Sequence, residues 1–189
     1  MAKTRAFLAI PLPQRLVDDL ARAQKRLAGD FPSVRWGRPE TLHLTLRFFG
    51  DCDQETLDKI AEAMVSVGVQ KRPFRLQVSG LGAFPTADRP RVFWLGLHDH
   101  GRLLELYDDL EAQLETAGIP KEGRRFAPHL TLGRARQRIF GAQKALERNR
   151  DLDCGELPVK QLILYSSELR PQGALHLPLH SVDLGGKEG

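Results

Sequence analysis

The sequence predicts an α+β protein of two similar lobes, each a small antiparallel sheet backed by helices. Three observations lead there. The tetrapeptide His-Leu-Thr-Leu occurs twice, at His43–Leu46 and His129–Leu132, each time inside a short apolar run of strand type. Helical and strand-like stretches alternate in an order too mixed for a doubly wound parallel sheet. No G-x-G-x-x-G follows a strand and no G-x-x-x-x-G-K occurs, so the usual nucleotide-cofactor and ATP loops are not supported.

Residues 4–10 (TRAFLAI) form the first expected strand, closed by Pro11 and Pro13. Gln14 to Leu27 then places Leu16, Val17, Leu20, Ala23 and Leu27 on one helical face, and Gly29-Asp30 with Pro32 should stop that helix. A brief strand at 34–37 leads to the first motif strand, 42–49, which Gly50-Asp51 should end. Asp53 is placed to cap a second helix to about Val67, burying Leu57, Ile60, Ala61, Met64 and Val65. Strands are expected at 74–78 and 91–97, with a surface loop over 79–90 between them. A third helix spans 102–117, stopped by Gly118 and Pro120, and a fourth 142–150. Strands at 159–166 and 175–181 precede a Gly-rich tail, 185–189, so that residues 1–184 make one catalytic domain of two lobes.

The 189 residues can bury a substantial core. Twenty-eight Lys and Arg against twenty-four Asp and Glu leave a formal charge of +4, a mild basic excess that permits an anionic partner. Arg124, Arg125, Arg134, Arg136 and Arg138 cluster around the second motif, and the guanidinium fork suits phosphate. Cys52 and Cys154 lie far apart and outside any C-x-x-C pattern, which fits a reducing cytoplasm. The first ten residues hold too short an apolar stretch for a secretory signal, and no run reaches the length of a membrane span.

The repeat reproduces chemistry rather than packing. In a strand, residues two apart share a face, so each copy presents one imidazole and one hydroxyl together while its leucines enter the opposite layer. Two such strands suggest one site with two-fold pseudo-symmetry. Two imidazoles facing each other across a cleft offer a base to take a proton and an acid to give one, on opposite sides of the reacting atom as in-line displacement at phosphorus needs. Imidazole, with an ordinary pKa of about 6.5, can serve as either. Thr45 and Thr131 can donate to the non-bridging oxygens.

The stretches VRWGRPETLHLTLRFFG (34–50), FAPHLTLGRAR (126–136) and LILYSSELRPQGALHLPL (162–179), with the early IPLP, resemble the RNA 2′,3′-cyclic phosphodiesterases, also called 2′-5′ RNA ligases, of the two-histidine (2H) phosphoesterase superfamily. The resemblance covers nearly the whole chain and implies the bilobal two-histidine fold with a central cleft. It implies His43 as proton donor to the leaving 3′ oxygen and His129 as proton acceptor for water, yielding a 2′-phosphate without metal or ATP. It also implies Arg134 as a phosphate contact, reversible 2′-5′ ligation, and as substrates RNA with 2′,3′-cyclic phosphate ends, such as transfer-RNA fragments, or small cyclic nucleotides. A site complete in one chain needs no partner subunit, so a monomer is expected.

Strand parity bears on the two arginines. Arg47, four along from His43, is in phase with the site and is added as a phosphate contact, with a solvent-facing strand residue as the alternative. Arg134, five along from His129, should point away unless a bulge or turn at Gly133 brings it round, or the strand ends there and it reaches in from the rim. Trp36 can stack on a nucleobase or pack in the core; Phe48 and Phe49 are expected in the core. His98-Asp99-His100 could bind a metal and defines one alternative, a metal-dependent phosphohydrolase. A binding module without turnover is another. His176 and His180 alternate with leucines and are expected as partly exposed strand residues.

Overall fold

A computed structural model describes residues 3–170 and 173–185. The first strand, β1 (Thr4–Pro11), runs into α1 (Gln14–Asp30), and a short β2 (Val34–Trp36) and a 3-10 turn at Pro39–Thr41 precede the first motif strand, β3 (His43–Cys52). Then come α2 (Gln54–Gly68), β4 (Phe74–Phe84), β5 (Val92–His98) and α3 (Arg102–Thr116). The second motif strand is β6 (His129–Ala135), followed by α4 (Ala142–Arg148), β7 (Asp153–Val159), β8 (Gln161–Arg170) and β9 (Gly173–Asp183).

The strands form two antiparallel sheets, ordered β3-β1-β8-β9 and β2-β6-β5-β4-β7. Apart from the added edge strand β2, the two orders correspond. Each motif strand pairs with the strand that opens its own half of the chain, β1 or β5, and that strand pairs next with one from the other half, β8 or β4. The helices cross over too: α2, joined by α3, lies against β3, β8 and β9, while α1 lies against β2 and β7 and α4 against β4. The expected bilobal architecture is therefore present, but its lobes exchange strands and helices instead of dividing the chain at its middle. One buried cluster runs through both, including Leu44, Leu46, Leu130 and Leu132 of the repeated motif.

Several element boundaries differ from the sequence expectation, and glycine explains most of them. β3 continues through Gly50, which pairs with Ala6 at φ 72°, to Cys52. β4 likewise continues past Ser79: Gly80 (φ 82°) sits at a register shift against β5, and the ring of Trp94 lies where a Cβ on Gly82 would be, 2.3 Å from its carbons. The residues expected as loop are thus a bulged strand. β7 has no counterpart among the expected strands, and it holds Gly155 and Pro158; on an edge strand proline leaves no ladder donor unmade. On α2 the buried face turns toward Ala63 and Val67, where the helix meets α3 and the C-terminal strands, leaving Val65 42 % exposed. Asp53 caps that helix as expected, its Oδ1 accepting from the Thr56 backbone N–H at 2.9 Å. Of the expected tail, residues 186–189 lie outside the described residues.

Both motif strands carry a bulge at the same place. Against β1, Ala9 pairs with Thr45 but Leu8 pairs with Arg47, so Leu46 is the extra residue. Against β5, Trp94 pairs with Thr131 but Phe93 pairs with Gly133, so Leu132 is the extra residue. The carbonyl of Leu132 does not go unpaired. It accepts from the Gly37 N–H at 2.8 Å and from the buried Gln24 side chain of α1 at 3.0 Å, which also donates to the Gly37 carbonyl at 3.0 Å. The sequence hint was a polar residue on an otherwise apolar helical face. Gln24→Leu should therefore lower stability by about 1–3 kcal/mol, read from the urea midpoint, because the Gly37 carbonyl loses this donor and the Leu132 carbonyl one of its two; an unchanged midpoint would remove Gln24 from this role.

Candidate active site

His43 and His129 open their strands in the same way. His43 Nδ1 lies 3.0 Å from the Thr41 carbonyl oxygen, and His129 Nδ1 lies 2.6 Å from that of Ala127. A carbonyl only accepts, so Nδ1 carries the proton in both and Nε2 is left for chemistry. The threonines, two residues on, share the faces of their histidines: Pro11, Ala9 and Phe7 of β1 face with His43, Thr45 and Phe48, while Gly96, Trp94 and Val92 of β5 face with His129, Thr131 and Arg134. β3 and β6 lie in contact with one another.

The bulge settles the parity of both arginines. Skipping Leu132 puts Arg134, not Gly133, in phase with His129 and Thr131, and Arg134 is exposed. Gly133 takes the opposite face, where a Cβ would come within 2.9 Å of Val34, Arg35 and Trp36 on β2. Skipping Leu46 does the reverse to Arg47. It turns to the helical side, 8 % exposed, where Nη1 donates to Glu111 of α3 at 2.5 Å and Nη2 donates to the Pro120 carbonyl. The other Glu111 oxygen accepts from the Glu122 N–H at 2.9 Å. The expectation of Arg47 as a phosphate contact is thus corrected: it is a buried strut between β3, α3 and the following loop. Phe48 takes the site-facing position instead and is 58 % exposed, contrary to its expected place in the core.

Aromatic side chains surround each histidine. Phe7 stacks on His43 at 4.7 Å between ring centroids, with Tyr165 stacked on Phe7 at 5.3 Å and His176 edge-on to His43 at 5.2 Å. Phe84 stands edge-on to His129 at 5.0 Å, and Trp94 lies beyond at 6.4 Å. These residues are on strands distant in sequence from the motifs, and only their aromatic character hinted at them. His43, Thr41, Tyr165, His176, Arg38 and Glu40 line a hollow of about 330 Å³. His129 is outside it. Trp36 is half-buried against Phe93 at 5.9 Å, a core contact.

Burial pushes the His43 imidazole down to about 4, the bond to the Thr41 carbonyl opposing and the neighbouring His176 adding to the shift. Burial lowers His176 as well. His43 is therefore neutral at pH 7 in the free protein. His98 ends β5 with Nε2 3.2 Å from the Ser79 carbonyl, and Asp99 caps α3 by accepting from the Gly101 and Leu103 N–H groups at 3.0 and 2.8 Å. The H-D-H segment thus has a structural task at a helix start. Among the described residues no group of three or more His, Cys, Asp and Glu side chains is placed to hold a metal ion.

Paired strands of this kind, repeated with approximate two-fold symmetry, place the chain among the two-histidine phosphoesterases, and the comparison with known families agrees. The model of the LigT-like phosphoesterases matches twice, over residues 10–94 and 95–176, and the chain belongs to that family. It is 31 % identical over 176 residues to the RNA 2′,3′-cyclic phosphodiesterase of Methanocaldococcus jannaschii, covering 91 % of this chain and 96 % of that protein. To the protein of the same name from Thermotoga maritima it is 31 % identical over 184 residues, 96 % of each chain. Among solved structures, a Thermus thermophilus protein superposes with a TM-score of 0.81 at 30 % identity, covering 97 % of this chain and all of that one. E. coli LigT complexed with 3′-AMP superposes with a TM-score of 0.77 at 25 % identity, covering 96 % and 98 %.

The buried ion pair and the buried imidazole can each be tested. Arg47→Met should destabilise the fold by about 3–5 kcal/mol by stranding Glu111, and Arg47→Met/Glu111→Leu should recover most of that loss; a normal melting curve for the single variant would return Arg47 to solvent. Proton NMR should titrate His43 near pH 4 in the free protein, and inorganic phosphate should move that midpoint upward, since an adjacent anion favours imidazolium. Because the folded value lies below the unfolded one, stability should also fall as pH drops from about 6.5 towards 4. His43→Gln should flatten that limb.

Proposed function

We propose that this chain hydrolyses the 2′,3′-cyclic phosphate at RNA ends to a 2′-phosphate, with His43 and His129 as the acid–base pair. The observation that carries the reading is the duplicated arrangement of imidazole and hydroxyl on one strand face, each imidazole held through Nδ1 by the carbonyl two residues upstream. The relatives named as RNA 2′,3′-cyclic phosphodiesterases, matched over nearly their whole length, support the substrate class. With the two Nε2 atoms on opposite sides of phosphorus, His129 takes the proton of the attacking water and His43 gives one to the departing 3′ oxygen. Thr45, Thr131 and Arg134 donate to the non-bridging oxygens, where charge grows. A 5′-hydroxyl in place of water runs the same steps toward a 2′-5′ linkage.

The low pKa of His43 bears on these roles. Its acid form requires the substrate's own negative charge, so His43 acquires its catalytic proton with the phosphodiester bound. The same value favours a second reading, in which the neutral His43 is the base and His129 the acid. All these residues belong to one chain, so this reading needs no partner subunit. No described helix is long and apolar enough to cross a membrane, and two buried free cysteines suit a reducing cytoplasm.

The test is turnover of an oligoribonucleotide ending in a 2′,3′-cyclic phosphate, with EDTA present. A 2′-phosphate product, and a loss of about 10²-fold or more in kcat for either His43→Ala or His129→Ala, is the expected result. Turnover surviving in both variants, or lost to chelator alone, would move the chemistry elsewhere. Bis(p-nitrophenyl) phosphate separates the roles, because its leaving group needs no proton. The variant that lacks the acid retains activity on it, and the variant that lacks the base does not.

A further inference from the structure

Apart from Arg134 on the site face, the arginines clustered around the second motif divide into two groups once folded. Arg124 and Arg125 line a hollow with Asp108, Glu111 and Glu122, a mixed surface whose charges offset one another. Arg136 and Arg138 do not. Together with Arg89 and Arg91 they line a cavity of about 550 Å³ that also includes Pro85, Pro90, Ala135 and Gln137, and none of these four guanidiniums makes an ion pair among the described residues. The nearest carboxylate in sequence, Asp88, is occupied by the side-chain amide of Gln143.

The cavity's position in the fold gives it a direction. Arg134 pairs with Val92, and the next backbone bond joins the Ala135 N–H to the Arg91 carbonyl at 2.9 Å, so the cavity opens where β6 ends. It therefore continues the strand that carries His129, Thr131 and Arg134, with its near edge roughly 15–20 Å from His129 at the usual rise of a strand. Beside it the Arg138 guanidinium lies over the Phe140 ring, 4.9 Å from the centroid, and that ring is 76 % exposed. Unpaired guanidiniums next to an exposed aromatic are the combination that holds single-stranded nucleic acid, the cations taking phosphates and the ring taking a base. A mononucleotide seated at His129 would not span that distance.

From these features we infer that the cavity lined by Arg89, Arg91, Arg136 and Arg138 seats the phosphates of the single-stranded RNA leading to the reactive end, making the protein selective for oligonucleotide over mononucleotide cyclic phosphates. The inference rests on the proposed cyclic phosphodiesterase reading. It adds a substrate class to that site: an RNA strand whose terminal nucleotide is at the histidines and whose body runs along the end of β6. Arg134 acts on the terminal phosphate, and the four cavity arginines act on those behind it.

The experiment compares Arg136→Gln/Arg138→Gln with the unmodified protein on two substrates, a nucleoside 2′,3′-cyclic phosphate and a single-stranded oligoribonucleotide with the same terminus. On the oligonucleotide kcat/KM should fall about tenfold or more at low salt, while on the mononucleotide it should stay within about twofold. Equal losses on both substrates, or no loss on either, would return the cavity to a solvated basic face. In parallel, anisotropy of a labelled oligoribonucleotide bearing a 2′-phosphate should show weaker binding by the variant, the salt slope of log K flattening by about 0.7 per contact removed. An equal drop for duplex DNA would make the cavity a general polyanion surface and overturn the proposal. Should the unmodified protein turn over neither substrate, the enzymatic reading fails, and the anisotropy result alone decides the cavity.

Discussion

The one-residue bulge that follows each threonine governs this molecule. A regular strand after His43 or His129 would send the fourth residue on to the site and the fifth to the helices. With Leu46 and Leu132 inserted as extra residues, the order is inverted in both copies. The fifth residue then joins the histidine's face, and the fourth meets the helical layer or the neighbouring strand. The same device does different work in each half. In β6 it brings an arginine into the site and a glycine against β2; in β3 it brings a phenylalanine into the site and buries an arginine against Glu111. The backbone is two-fold symmetric there and the chemistry is not.

Such a bulge costs a ladder bond, and in β6 its carbonyl is satisfied by a side chain from α1 and a backbone N–H after β2. α1 follows β1, which belongs to the other sheet. The exchange of elements between lobes thus has a local consequence: the geometry of the His129 strand is fixed by a helix from the His43 half. The Arg47–Glu111 pair is its counterpart, tying the His43 strand to a helix that follows β5. Neither motif strand is positioned by its own half of the chain alone.

This distribution explains what could be read from the sequence and what could not. The two tetrapeptides, the Asp53 cap and the apolar stripes of α1 and α3 are local patterns, and local patterns survive folding. Histidine and threonine two apart share a face because no register shift falls between them in either copy. The bulges leave less of a mark, because they arise from how β1 and β5 align with the motif strands: in β6 the parity of Arg134 raises a bulge as one alternative, whereas in β3 nothing signals it and regular parity turns Arg47 the wrong way. Glycine reads as a breaker in β3 and β4, where it instead admits a left-handed residue or a close ring. The hidden residues of the site, Phe7, Phe84, Trp94, Tyr165 and His176, come from strands that only the sheet order brings beside the histidines.

Those aromatic surroundings differ between the two copies of the repeat. Identical imidazoles in identical environments would be interchangeable. Here the environments differ. His43 is packed between Phe7 and His176, and burial holds it neutral until an anion arrives. His129 meets Phe84 edge-on and is outside the hollow that encloses His43. An anion bound beside His43 would favour its protonation. The asymmetry that the repeated sequence conceals is supplied by the packing around it.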